Sequence, residues 1–124
     1  MEPAPRRRII EPSPELFPMD HDELLTQIHT LIATPDGDAA ALAQMEDTLT
    51  VGYAHALALE AARWRLERQI GEVASRLAYE GDTAAADDLA SLARRMSDTD
   101  VEVVRLRTAL ASLRDRASEA RSAA

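Results

Sequence analysis

The three histidines, His21, His29 and His55, are the side chains of this sequence best suited to metal binding or proton transfer near neutral pH. A helical metal site needs ligands on one face, as in a His-Glu-x-x-His pair. The sequence separations between the three histidines match no metal-binding motif. Neither a His-Glu-x-x-His nor a Glu-x-x-His pair occurs. No glycine-rich phosphate loop or nucleophile elbow is present either. We therefore predict no metal site, no cofactor and no catalytic residue, and expect the histidines to be solvated or to cap helices.

The charged residues argue against nucleic acid as a partner. The net charge is -8, and all 14 basic residues are arginine. The run from Arg6 to Arg8 could contact phosphate, but three cations are few, and Glu2, Glu11 and Glu15 nearly cancel them. Since nucleic-acid binders need a positive field, we predict a protein partner and no nucleic acid.

The composition also bears on location. Cysteine is absent, which excludes disulfides and fits a reducing compartment. No stretch approaches the roughly 20 apolar residues that span a bilayer. Only Ile9 and Ile10 follow the arginine run, so a secretory signal peptide is not expected. We predict a cytoplasmic protein that does not enter a membrane. The alanine- and arginine-rich composition is typical of a GC-rich bacterial genome.

Two short segments precede the long helices. Residues 1–19 hold five of the six prolines and are predicted to be a disordered tail. Residues 20–34 are predicted to form a short helix that begins with Asp20 and Glu23 as a capping box and ends before the turn signal Pro35-Asp36-Gly37. Its apolar residues fall on one face: Leu24, Leu25, Ile28, Leu31 and Ile32.

Residues 38–121 carry two heptad seams on either side of Gly81. Helices are predicted at about 38–80, with Asp38 as the cap, and 83–121, with Asp82 or Thr83 as the cap. A break near Ser97–Asp100 remains open, although the heptad phase favours a continuous helix. The seams occupy positions 42, 45, 49, 52, 56, 59, 63, 66, 70, 73 and 77, and then 89, 92, 96, 99, 103, 106, 110, 113, 117 and 120. The predicted fold is all-α, a long antiparallel coiled-coil helical hairpin with a short N-terminal helix packed at its base and a disordered N-terminal tail.

A tight turn at Gly81 predicts the register of the hairpin. Facing positions have numbers that add up to about 162, as antiparallel seams require. Gly52 then faces Leu110, small against large. Arg63 faces Thr99, and Arg107 comes close enough to Tyr53 for a cation–π contact.

One polar cluster interrupts the predicted seams: Glu60, Arg63, Thr99 and Asp100. It has two interpretations, a binding or hinge site and a polar layer that fixes the register of the two helices. We adopt the second, with Arg63 bridging Glu60 and Asp100.

A second apolar stripe lies outside the seam, at Tyr53, Leu57, Ala61 and Trp64. The short helix and Leu16-Phe17 could cover it, but by length that helix reaches only to about residue 53, which leaves Trp64 beyond it. The alternative is a surface for a protein partner or a second copy of the chain. Whether the tail docks on Trp64 is left open.

Two family resemblances imply other functions. Tyr79-Glu80-Gly81 at the turn resembles the Trp-x-Gly of exported WXG-type helical hairpins, although no tyrosine of an export signal follows. Leu66-Glu67-Arg68-Gln69-Ile70-Gly71 resembles part of the first helix of all-helical chorismate mutases. That resemblance implies a small enzyme whose cations, here Arg63, Arg68 and Arg76, grip two carboxylates, but the lysine expected next is absent.

The function predicted from these patterns is a non-enzymatic protein–protein interaction or scaffold module. Its simplest form is self-association of the hairpin into a four-helix homodimer. The alternatives are the mutase-type enzyme and the exported hairpin effector.

Overall fold

The protein is all-α. The computed structural model describes residues 20–35 and 39–123, which form three helices: α1 (His21–Ile32), α2 (Ala39–Glu80) and α3 (Thr83–Ala123). The predicted disordered tail, the docking of Leu16-Phe17 and the Asp38 cap lie outside the described residues. The predicted order of a short helix followed by a two-helix hairpin is confirmed.

Both ends of α1 follow from local sequence. The Oδ1 atom of Asp20 accepts a hydrogen bond from the backbone N–H of Glu23 at 2.8 Å, which satisfies one free donor of the first turn. At the other end, the Ala33 N–H donates to the His29 carbonyl and the Thr34 N–H to the Leu31 carbonyl. These bonds close the last turn, so the helix ends just short of the predicted Thr34.

The turn between α2 and α3 has the predicted chemistry. Gly81 has φ of 62°, a left-handed conformation that side chains disfavour. Asp82 follows it and accepts a hydrogen bond from the Ala84 N–H at 3.0 Å, capping α3. Helix α3 then runs without a break through Ser97–Asp100, where the Thr99 hydroxyl donates to the Arg95 carbonyl of its own helix.

The two seams meet in the predicted register. Every seam position of α2 and α3 is buried or half-buried. Gly52 is buried against Leu110, whose Cδ2 atom occupies the place that a Cβ at position 52 would take. The absence of a side chain at Gly52 lets Leu110 insert between the helices, and this contact fixes how α2 and α3 are aligned.

Helix α1 packs in the groove on one side of the hairpin. Its His21 ring lies against His55, and its Gln27 amide donates to the Thr48 hydroxyl at 3.1 Å, so α1 runs antiparallel to α2. Arg116 of α3 donates to the Thr34 carbonyl at 2.6 Å. The main core therefore lies at the base, where three helices meet, and its buried residues are Leu24, Ile28, Leu31, Met45, Leu49, Ala56, Leu106, Ala109, Leu110, Leu113 and Ala117.

Substitution of two glycines of α2 tests the register. Gly52→Ala should lower the free energy of unfolding by about 1 kcal/mol, because overpacking costs about 1–3 kcal/mol and outweighs a helix-propensity gain of about 1 kcal/mol. Gly71→Ala is the matched control, since a Cβ there meets nothing within 4 Å, and it should stabilise the protein. Urea denaturation monitored by circular dichroism measures both. A stabilised Gly52→Ala variant would contradict the Leu110 contact.

Candidate partner-binding surface

The exposed residues of α2 between positions 50 and 64 are all uncharged. Their spacing of four, three, four and three residues places them along one face of the helix. Leu57 and Trp64 are each 62% exposed, far more than large apolar side chains of a packed helix usually are. We call this surface the outer stripe, and its residues are Thr50, Ala54, Leu57, Ala61 and Trp64.

In the part of the chain that the structure describes, the helices that neighbour α2 pack on its other faces and leave the outer stripe uncovered. The seam positions of α2 pack on α3. Thr48 and His55 lie on one flank of this seam and contact α1. Tyr53 and Glu60 lie on the opposite flank, and Glu60 binds Arg107 of α3. The face that remains points away from both neighbouring helices.

The structure differs from the predicted apolar stripe in two respects: the position of Tyr53 and the side on which α1 packs. Tyr53 is half-buried against the core, while Leu57, Ala61 and Trp64 lie on the outer stripe. The expectation that the short helix covers the beginning of this stripe is wrong, because α1 packs on the Thr48 and His55 flank. Sequence reasoning missed Thr50 and Ala54, although counting back from Leu57 in heptad steps would have found both.

Arg68 extends the outer stripe by one turn. Its guanidinium carbon lies 5.6 Å from the centroid of the Trp64 ring, which is the geometry of a cation–π contact. Such a contact between exposed side chains is worth about 0.5–1 kcal/mol. It orients an otherwise exposed indole on the surface of the helix.

The predicted polar layer separates into two ion pairs. Arg63 donates to Asp100 and also lies 3.6 Å from Glu67, and all three side chains are nearly half exposed. Glu60 does not join Arg63; it accepts two hydrogen bonds from Arg107, at 2.9 and 2.5 Å. Arg107, expected beside Tyr53, thus reaches Glu60. Thr99 donates to the Arg95 carbonyl of its own helix, and Arg63 binds Asp100, one of the two carboxylates that it was predicted to bridge.

Arg63→Leu should leave the hairpin folded. Ion pairs at this exposure contribute about 0–1 kcal/mol, and a leucine would extend the apolar seam. We expect unchanged helicity by circular dichroism and a change in the free energy of unfolding of less than about 1 kcal/mol. Loss of helicity would show that the Arg63–Asp100 pair is essential to the fold.

Three titratable side chains, one from each helix, lie together near the beginning of α1: His21, His55 and Glu102. His21 of α1 and His55 of α2 have ring centroids 5.8 Å apart, with the planes tilted by 31°. Burial lowers the pKa of His55, and the nearby His21 lowers it further, while Glu102 of α3 opposes the change. The folded state therefore favours the neutral imidazole of His55.

This cluster should make stability depend on pH. As the pH falls through about 6.5, the unfolded chain binds a proton at position 55 that the folded chain resists. The free energy of unfolding should therefore decrease with falling pH and level off below the folded pKa of His55. His55→Gln should flatten this dependence as the pH falls below about 6.5. His29→Gln, at an exposed position of α1, is the control, and equal slopes in both variants would contradict the assignment.

The arginines that the mutase resemblance singles out do not converge. Arg63 binds Asp100, Arg68 lies over Trp64, and Arg76 lines a shallow groove with Asp88 near the turn. Residues 63 and 76 are separated by about 20 Å along α2 at 1.5 Å per residue. A single small dicarboxylate cannot contact all three.

Within residues 20–35 and 39–123, no three His, Asp or Glu side chains come together in a way that could hold a metal ion. In the same ranges, no helix combines the length and apolar content needed to cross a bilayer. Comparison with protein families, curated proteins and solved structures finds no match to this chain.

Proposed function

We propose that the protein is a non-enzymatic protein–protein interaction module that binds a helix of its partner on the outer stripe. The observation that carries this proposal is the exposure of Leu57 and Trp64 in a stripe without charged residues. Binding sites on proteins are enriched in such exposed apolar side chains, and tryptophan is among the commonest energetic anchors.

The shape of the outer stripe favours a helical partner. Ala54 and Ala61 flank Leu57 one turn away on either side, so small and large residues alternate along the face. A partner helix with apolar residues at heptad spacing could insert its large side chains over the alanines. Complete burial of a large apolar side chain stabilises a complex by about 1.5–3 kcal/mol.

The hairpin supplies a rigid support for this surface. Leu57 and Trp64 belong to the long uninterrupted helix α2, whose opposite side is held by the seam with α3. A preformed helix loses little conformational entropy on binding, which favours affinity. As the cysteine-free sequence favours a reducing compartment, we propose that the module acts in the cytoplasm.

A matched pair of double variants tests the proposal. Affinity capture with the wild-type chain should recover a partner that Leu57→Ala/Trp64→Ala loses, because the variant removes both anchors and leaves the seam intact. Val101→Ala/Val104→Ala on α3, where the two side chains are 46% and 64% exposed, should retain it. Circular dichroism should show equal helicity in all three proteins. A partner retained equally by both variants would contradict the proposal.

A further inference from the structure

The outer stripe ends in opposite charges. Counted in the same heptad steps, the next position before Thr50 is Asp47, and the next after Trp64 is Arg68. Both side chains are exposed. Glu46 is exposed beside Asp47, and Arg65 is exposed beside Arg68. Glu72 is exposed one turn beyond Arg68. The outer stripe therefore has an acidic residue, Asp47, at one end and a basic residue, Arg68, at the other.

We propose that the occupant of the outer stripe is a second copy of this chain, docked antiparallel so that the two α2 helices form the centre of a symmetric dimer. The inference rests on the proposed function, because it uses the same surface and names its partner. A reversed copy brings Asp47 of one α2 close to Arg68 of the other. A parallel copy would place like charges together.

The sizes of the side chains fit the same arrangement. When one α2 is reversed about a two-fold axis between Leu57 and Ala61, Leu57 of each copy faces Ala61 of the other. Trp64 then faces Ala54 of the other copy, so both large residues meet small ones. In a parallel arrangement, Trp64 would face Trp64 of the other copy and each alanine would face an alanine. The tryptophans would then be crowded, and gaps would remain between the alanines.

The charged residues at the ends of the outer stripe form two ion pairs between the copies. In this register Arg68 of each copy lies opposite Thr50, and Asp47 is one turn away, within reach of the long arginine side chain. Symmetry produces the Asp47–Arg68 pair twice. The two Glu60 side chains approach each other on one flank, but each carboxylate is already bonded to Arg107 at 2.5 Å, which limits their repulsion.

Charge exchange between positions 47 and 68 tests this arrangement by sedimentation equilibrium of the full chain at low ionic strength. The wild-type chain should form dimers. Asp47→Arg alone, or Arg68→Asp alone, should raise the dimer dissociation constant about tenfold, because each converts two attractive pairs into two repulsive ones. The double variant should return to within about threefold of the wild type, since the pairs are restored in reversed order.

A charge change elsewhere is the control. Asp87→Arg, at an exposed position of α3, alters the net charge as much as Asp47→Arg does and should leave the dissociation constant unchanged. Circular dichroism of every variant should match the wild type.

Two outcomes would overturn the inference. A wild-type chain that stays monomeric at every concentration would exclude the second copy as occupant. A dimer in which the double variant is as weak as the single ones would exclude the antiparallel register. Neither outcome decides the proposed function. That proposal fails only if the Leu57→Ala/Trp64→Ala variant retains the captured partner as well as the wild-type chain does.

Discussion

The contact between Gly52 and Leu110 is the constraint on which the rest of the structure depends. Leu110 can enter the space beside α2 only because position 52 has no side chain. A shift by one heptad would put Leu110 against Leu59 or Met45, and two large side chains would then compete for one place. The fit of one glycine to one leucine therefore fixes which residues of α2 and α3 face each other.

The exposed surface follows from this alignment. With its seam turned to α3, α2 presents Thr48 and His55 to α1, and Glu60 to Arg107. No helix of the described structure lies over the remaining face, which carries Leu57 and Trp64. The same packing that buries the core at the base thus leaves an apolar stripe on the outside, and that stripe is the basis of the proposed function.

Much of this fold is encoded locally and could be predicted. The Asp20 cap, the positive φ of Gly81 and the heptad seams depend on nearest neighbours or on simple periodicity. The side on which α1 packs could not be predicted in this way. A fold-back before α2 lays α1 alongside it, but both flanks of the seam are open to it, and the choice depends on side-chain fit at Thr48, Ala109 and Arg116. The expectation that α1 covers the Tyr53 flank failed for that reason.

The ion pairs between α2 and α3 also could be predicted only in part from the sequence. The register correctly brought Arg63 close to Asp100, but the exchange of partners that joins Glu60 to Arg107 depends on rotamers of long side chains. Heptad phase specifies which positions are neighbours and leaves open which of several reachable charges will pair. Sequence reasoning was accordingly better at placing backbones than at assigning contacts between charged residues.

Fluorescence of Trp64, the single tryptophan of the chain, tests the central claim most directly. The emission maximum and the acrylamide quenching rate should be measured over a wide range of protein concentration. We expect an exposed indole in dilute solution that shifts to the blue and becomes protected as concentration rises, because a second copy covers the outer stripe. Emission typical of a fully exposed indole that stays unchanged at every concentration would contradict self-association through this surface.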